Sequence, residues 1–335
     1  MINLINKNCI FEKNIYMIKA GVIGVGHLGS IHLKLLNESS YFELIGFHDN
    51  DLEKSKIFSN DFTFFKQSIK LIKSVDVIFI CSNTPTHYSI AKTCLEHNKH
   101  IFIEKPITTT IEEAKELIEI AKNNNLIGQV GHVERFNPAY TSLRGTIYEP
   151  KFIECHRLAE FNPRGNDVSV VLDLMIHDID IVLSVVNSKI KSVSANGVCV
   201  ISDSPDITNA RVEFENGCVA NFTASRISLK NMRKTRFFQD DAYISIDFLK
   251  KKSEVVKIST VIDEFDKYAM IIKNSKGQKK QIYYSNPSVK DTNAIVEEHN
   301  SFANSILNNL KPIISLEDGY LALNLANEII NTGNC

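Results

Sequence analysis

Residues Lys19 to His32 read K-A-G-V-I-G-V-G-H-L-G-S-I-H. The run from Ala20 to Ile23 has the character of a buried strand. It breaks at Gly24-Val25-Gly26-His27-Leu28-Gly29 and resumes as a helix carrying Ile31, Leu33, Leu35 and Leu36. Gly24 permits the tight turn. Gly26 has no side chain to hold a pyrophosphate off the backbone, and Gly29 lets the helix pack close to its strand. The N–H groups of the first turn, at His27 and Leu28, then face phosphate oxygens. A second strand, Phe42 to His48, ends at Asp49, about twenty residues beyond Gly29, where an acid accepts from an adenosine ribose. The spacing therefore predicts a bound dinucleotide. With Asn50 and Asp51 beside Asp49 and no arginine near, NAD is favoured over NADP, whose extra phosphate the acid repels. The alternative is that Asp49 only caps the helix starting near Leu52.

Working outward, helices at Leu52 to Ser59 and Ser68 to Lys73 flank a brief strand at Phe62 to Phe65. Val75 to Cys81 is a near-continuous apolar run, the profile of a parallel strand buried on both faces. A helix from Thr86 to His97, a strand from His100 to Ile103, a helix to Asn123 opened by the capping box of Thr110 with Glu113, and a strand from Leu126 to Gly131 complete the alternation. Such alternation predicts an α/β fold, a doubly wound parallel sheet, over residues 18–131.

Past Gly131 the pattern changes. A short helix at Asn137-Pro138, an extended segment from Lys151 to Phe161 and an apolar helix from Ser169 to Val186 precede a run of strands. These are Ile190 to Ile201, Ile207 to Phe214, Cys218 to Ser225, Tyr243 to Phe248, Ser253 to Ile258, Tyr268 to Ile272 and Lys280 to Tyr284. Glu215-Asn216-Gly217 and Asn274-Ser275-Lys276-Gly277 read as turns. Helices at Asn293 to Asn309 and Leu316 to Ile330 close the chain. Residues 132–331 are thus expected to form an α+β domain with an open, mostly antiparallel sheet. Residues 1–17 precede the first strand. They lack the apolar core and cleavage site of a signal peptide, and are expected to be a loose extension, or to lie upstream of a true start at Met17.

A chain of 335 residues, 44% apolar, has enough material for two ordinary cores. Its formal net charge of −1 and the lack of a basic block argue against nucleic acid or an anionic membrane as main partner. Seven cysteines without a C-x-x-C pair read as reduced packing residues in a cytoplasmic protein.

Three stretches could carry chemistry. Ser82, Asn83, Thr84, Pro85 and His87 follow the strand ending at Cys81, where open α/β sheets bind ligands, although a plain strand-to-helix turn would read the same way. Glu104-Lys105-Pro106 ends the next strand and points a lysine into the crevice that the nicotinamide occupies, or is an ordinary surface turn. Asp173, His177 and Asp180 fall at i, i+4 and i+7 on an otherwise apolar helix, where ionisable groups need partners or a polar cavity. A structural polar cluster or a metal site is the alternative there; with no further convergent ligands in the sequence, no metal is expected.

The G-V-G-H-L-G loop, C-S-N-T-P-T-H, E-K-P, G-H-V-E-R-F-N-P and D-L-M-I-H-D-I-D together resemble the Gfo/Idh/MocA family of nicotinamide-dependent sugar and cyclitol oxidoreductases, from Ile18 to about Ile330. The resemblance implies a Rossmann domain followed by a domain whose open sheet packs between subunits, giving a homodimer or homotetramer. It also implies a catalytic trio of Lys105, Asp173 and His177. The wording at Val133 to Pro138 and Val170 to Asp180 resembles the branch that oxidises the 3-hydroxyl of UDP-N-acetylglucosamine on the way to 3-amino sugars of lipid A. Other branches act on inositol or free sugars.

Oxidising a secondary alcohol needs a base for the hydroxyl proton while hydride leaves carbon. His177, with an unperturbed pKa of about 6.5, suits that role, with Asp173 orienting its ring. Lys105 would stabilise the oxygen, or relay a proton once NAD⁺ lowers its pKa. A diphosphate would need cations or amides, and Arg135, Asn137 and Arg226 are the expected substrate contacts, with Arg233 and Arg236 further candidates that read equally as exposed arginines. Competing functions are a non-catalytic dinucleotide sensor and a metal-dependent hydrolase built on Asp173, His177 and Asp180.

Overall fold

The computed structural model describes residues 17–162, 168–260, 269–273 and 275–333. The N-terminal extension, the start of the strand expected at Tyr268 and the start of the turn expected at Asn274 lie outside the described residues.

The first layer alternates as expected: β1 (Ile18–Ile23), α1 (His27–Asn37), β2 (Phe42–His48), α2 (Leu52–Phe58), α3 (Ser68–Ser74), β3 (Val77–Ile80), α4 (Thr84–Glu96), β4 (His100–Glu104), α5 (Ile111–Asn123) and β5 (Gly128–Gly131). Thr110 and Glu113 form the expected capping box at α5. The sheet runs β2-β1-β3-β4-β5, all pairs parallel. The segment expected as a strand at Phe62 to Phe65 pairs only at Phe64, as a single parallel bridge to Phe47 on the outer edge of β2. β3 is buried at every position, because helices cover both faces.

The second layer contains a 3₁₀ turn (Val133–Phe136), α6 (Pro138–Thr141), β6 (Phe152–Leu158), a π-helical turn (Val171–Met175), α7 (Ile176–Val185), β7 (Ile190–Val198), β8 (Ile207–Phe214), β9 (Val219–Ser225), β10 (Met232–Phe238), β11 (Ala242–Asp247), β12 (Lys252–Thr260), β13 (Met270–Lys273) and β14 (Lys279–Ser285), before α8 (Ala294–Asn308) and α9 (Leu316–Thr332). Its nine described strands run β13-β14-β12-β11-β10-β6-β9-β8-β7. Every pair is antiparallel except β6 with β9. One face packs Ile153, Phe222, Phe237 and Ile244 against Met175, Ile179, Leu325 and Ile329.

Two elements depart from expectation. β10, M-R-K-T-R-F-F, carries too many charges to show the alternation of a half-buried strand, yet it lies in the middle of the sheet between β6 and β11. Its charges are matched across the ladder: Arg236 stands opposite Glu154, 3.4 Å away. The single helix expected from Ser169 to Val186 opens instead with the wide π turn. One extra residue in a turn rotates the rest of the helix by on the order of 100° relative to regular α-helical phase. Asp173 and Asp180 therefore do not share one environment: Asp173 is exposed, whereas Asp178 and Asp180 are buried.

The last two helices return to the first layer. Phe302 and Ala303 of α8 join the core that holds Ala20, Val22, Phe79 and Phe102. α9 bridges both cores, with Leu316 and Leu323 in one and Leu325 and Ile329 in the other. A fully buried phenylalanine contributes roughly 2–3 kcal/mol, so Phe302 ties α8 firmly beneath the parallel sheet. Among the described residues no helix is long and apolar enough to cross a membrane.

Candidate active site

The glycine loop has the geometry its sequence requires. Gly24 adopts φ +91°, and a Cβ there would lie 2.6 Å from the Ser82 nitrogen. A Cβ on Gly29 would lie 1.9 Å from the Gly24 carbonyl oxygen, so α1 can sit this close to β1 only with glycine. Gly26 differs: nothing lies within 4 Å of its Cβ position, and it caps α1 without a side-chain hydrogen bond. The N-terminal amides of an eleven-residue helix therefore face open space, with His27 and Leu28 exposed.

Asp49 organises the neighbouring wall. Its Oδ2 accepts from the Val25 N–H at 2.7 Å and its Oδ1 from the Asp51 N–H at 2.8 Å. Asp51 caps α2 by accepting from Glu53 and Lys54, so Asp49 is free of that duty. A cavity of about 220 Å³ lies between Gly26, Asp49, Asn50, Lys54, Ser82 and Thr86, at the point where strand order reverses between β1 and β3. An open glycine at a helix N-terminus, a carboxylate at the end of β2 and this cavity fit a dinucleotide.

Of the residues after β3, Ser82 and Asn83 line the cavity, and Thr84 and Pro85 form the first turn of α4. His87 does not face it. It is buried, and its ring nitrogens lie 3.0 Å from the Pro106 carbonyl and 2.9 Å from the Ser82 carbonyl, stapling the end of β3 to the turn after β4.

Lys105 does reach the crevice. Its Nζ donates to the Asp173 carbonyl oxygen at 2.8 Å and lies 3.3 Å from Asp173 Oδ1. Glu104, in the same turn, faces inward and away from the cofactor crevice: Oε1 meets His32 Nε2 at 2.8 Å and Oε2 accepts from the Lys105 N–H at 3.2 Å. The bond lengths correct a second expectation, because Asp173 faces Lys105 and does not orient His177. Among the described residues His177 Nδ1 is buried without a hydrogen-bond partner. Burial, reinforced by the charges of Lys105, Arg157, His132 and Arg233, holds the His177 pKa well below the usual histidine value, so the ring is neutral near pH 7.

Beneath these groups lie ion pairs that the sequence did not reveal. Arg157 donates to Asp178 through Nε and Nη2 at 3.0 and 2.8 Å, and to Glu134 through Nη1 at 2.9 Å. Arg135 grips Asp180 at 2.8 and 2.7 Å and also reaches the Ile313 carbonyl at 3.2 Å. Asn137 donates to Glu134 and the Phe248 carbonyl while its Oδ1 caps α6. Arg135 and Asn137 are therefore committed to the junction between layers and not offered to substrate. Their burial is the physical reason, since a buried arginine or amide must satisfy its donors locally. Arg226 is also buried, with Nη2 donating to the Val168 carbonyl. With Asp180 held by Arg135 and Asp173 by Lys105, the expected i, i+4, i+7 trio does not converge on a point.

Arg233 has the opposite character. It shares the face of β10 that carries buried Thr235 and Phe237, its side chain is half exposed, and its one ion pair is a 3.7 Å approach to Glu134, which Arg157 already satisfies. Its charge is felt at His177. His132, at the end of β5, is buried with neither ring nitrogen partnered among the described residues. The H-V-E-R wording contained the signal for these groups, but only the register of β6 against β10 shows which arginine is buried.

Comparison with known proteins is consistent across sequence and structure. Residues 18–132 match the model of an oxidoreductase family with an NAD-binding Rossmann fold, and residues 113–244 match the GFO/IDH/MocA C-terminal domain. A UDP-N-acetylglucosamine 3-dehydrogenase of Acidithiobacillus ferrooxidans is 36% identical over 234 residues, 69% of this chain and 74% of its own. A solved structure of the enzyme of that name from A. ferrooxidans superimposes with a TM-score of 0.84 at 29% identity, covering 95% of this chain and 98% of the other. Myo-inositol 2-dehydrogenase of Thermotoga maritima is 23% identical, covering 91% of this chain and 93% of its own.

Proposed function

The chain belongs to the Gfo/Idh/MocA family of NAD-dependent oxidoreductases acting on CH–OH groups, and from that premise we propose that it oxidises the 3-hydroxyl of UDP-N-acetylglucosamine to a ketone. The observation that carries the chemistry is Lys105, held 2.8 Å from the Asp173 carbonyl, beside a neutral, half-buried His177. Support for the substrate comes from the 36% identical relative and from Arg233, a half-exposed cation facing the site, which suits a sugar diphosphate and has no counterpart to meet in an uncharged cyclitol.

Gly24 to Gly29, Asp49, Ser82 and Asn83 would hold the dinucleotide, which when bound would supply the hydride acceptor for the sugar carbon. His177 takes the hydroxyl proton; its depressed proton affinity keeps the ring neutral and able to accept. Lys105 donates to the same oxygen and stabilises charge as it develops. Asp173 anchors the ammonium through its main-chain and side-chain oxygens.

The product suits amination to a 3-amino sugar of the kind found in lipid A. Cysteines without paired spacing suit a reducing cytoplasm, and the open face of the large sheet, bearing Glu154, Lys234 and Arg236, suits pairing between copies as a dimer or tetramer. Purified protein with NAD and a panel of UDP-sugars, free sugars and inositols tests the substrate. Nicotinamide reduction and a ketone product with UDP-N-acetylglucosamine are expected, with a transaminase present to draw off the ketone. Reduction with inositol alone would overturn the choice.

A further inference from the structure

Asp173 is turned to Lys105, so it does not fix which ring nitrogen of His177 is bare. His177 Nδ1 is buried without a hydrogen-bond partner among the described residues, while the ring as a whole is half-buried, which leaves Nε2 toward the crevice. For Nε2 to accept a proton, the hydrogen of the neutral ring must sit on Nδ1. A buried N–H needs an acceptor.

Of the groups whose charge is felt at His177, Lys105, Arg157 and Arg233 can only donate. The carboxylates at the junction of the layers are committed: Asp173 to Lys105, Asp178 and Glu134 to Arg157, Asp180 to Arg135. His132 differs. It follows β5, the strand paired with β4, which delivers Lys105; it is 1% exposed, and both its ring nitrogens are buried without partners among the described residues. Burial, assisted by the charges of Arg135 and Lys105, outweighs the pull of Asp180 and Glu104 and holds its pKa below the usual histidine value. The ring is therefore neutral near pH 7 and offers one donor and one acceptor. The two rings are complementary: His177 has an inner N–H to place, and His132 has a bare nitrogen to fill.

We propose that His132 is a positioning residue that fixes the tautomer of His177. No direct hydrogen bond joins the rings, so the link runs through water, which accepts from His177 Nδ1–H and donates to the bare nitrogen of His132. Nε2 of His177 is left free for the substrate proton, and the imidazolium that forms keeps a partner for its inner N–H. A histidine that only braces the core has its nitrogens bonded to nearby main chain, as His87 has at the Pro106 and Ser82 carbonyls. The consequence for turnover rests on the oxidation proposed above; the tautomer itself does not.

The test is nuclear magnetic resonance of the full chain with ¹⁵N-labelled histidine at about pH 8, where neutral rings dominate. It needs neither substrate nor cofactor, so its failure and that of the proposed oxidation are distinguishable. The two-bond nitrogen–proton pattern of each ring reports its tautomer, and H177Q identifies the His177 signals. Wild type is expected to show His177 in the Nδ1–H form. H132F, which removes the acceptor, is expected to move it largely to the Nε2–H form, whereas H132Q, whose carbonyl oxygen can accept, is expected to retain Nδ1–H. In turnover, H132F should lower kcat by about 10²-fold or more with KM little changed. An Nε2–H ring in the wild type, an unchanged tautomer in H132F, or equal loss of Nδ1–H in H132F and H132Q would overturn the proposal. If H132F does not fold, the apolar and flexible H132M takes its place, and the wild-type tautomer decides without either.

Discussion

Replacing Arg135 by leucine separates two roles that one arginine could play. In the structure Nε and Nη2 of Arg135 donate to Asp180, at 2.8 and 2.7 Å, and Asp180 is 1% exposed. Two unit charges about 4 Å apart attract by roughly 4 kcal/mol at an effective dielectric of about 20, a gross figure from which desolvation subtracts. Removing one partner leaves the other charge buried, and such losses run to about 3–5 kcal/mol. Arg135→Leu should therefore lose about 3–5 kcal/mol in urea unfolding followed by circular dichroism, a suitable probe for a chain without tryptophan. The double variant Arg135→Leu/Asp180→Leu should recover much of the loss, because the fully buried carboxylate is gone and only the part-exposed Asp318, 3.4 Å from Arg135, loses a partner. If Arg135 instead held the substrate diphosphate, stability would change by less than about 1 kcal/mol while KM rose about tenfold, equivalent to about 1.4 kcal/mol. That pattern would refute its assignment to the junction.

Lys105→Met and His177→Ala should each cut kcat by about 10²–10⁴-fold while calorimetry shows NAD binding retained; near-normal turnover in both would remove them from the chemistry. Because the His177 pKa is depressed, its base form should persist below pH 6.5, and an acid limb in kcat/KM at or above pH 6.5 would contradict that environment. The same depression means the unfolded chain takes the proton first, so urea stability should decline as pH falls below about 6.5. Gly26→Ala should weaken NAD binding with little loss of stability, whereas Gly29→Ala, whose Cβ would meet the Gly24 carbonyl at 1.9 Å, should destabilise the fold; equal stability of the two would refute the loop geometry. Arg233→Leu should raise KM for a UDP-sugar by about 10–100-fold with kcat little changed, and an unchanged KM would remove Arg233 from substrate binding.

The features legible in the sequence are those set by local chemistry. The glycine loop, the Thr110 capping box and the buried β3 depend on residues close in the chain, so spacing alone recovers them. Lys105 and Asp173 lie 68 residues apart, and only the family resemblance joined them before the structure did. Regular helical spacing misplaced Asp180, because the π turn at Val171–Met175 changes the phase that the periodicity assumes. β10 was hidden because its charges are matched by neighbours far away in sequence, Glu154 and Glu134 among them. The arginines show the same dependence: Arg135 is buried on Asp180, whereas Arg233 of β10 stays half exposed beside Glu134. Whether an arginine is satisfied depends on long-range pairing, which composition and periodicity do not report.

The most direct measurement uses UDP-N-acetylglucosamine carrying deuterium at C3, incubated with the protein and NAD⁺ and followed by mass spectrometry of the nicotinamide. If the 3-hydroxyl is oxidised by direct transfer, the reduced cofactor carries one deuterium and the sugar product becomes a ketone at C3, and both signals vanish with Lys105→Met. Reduced cofactor without deuterium, or oxidation only of an uncharged cyclitol, would contradict the account.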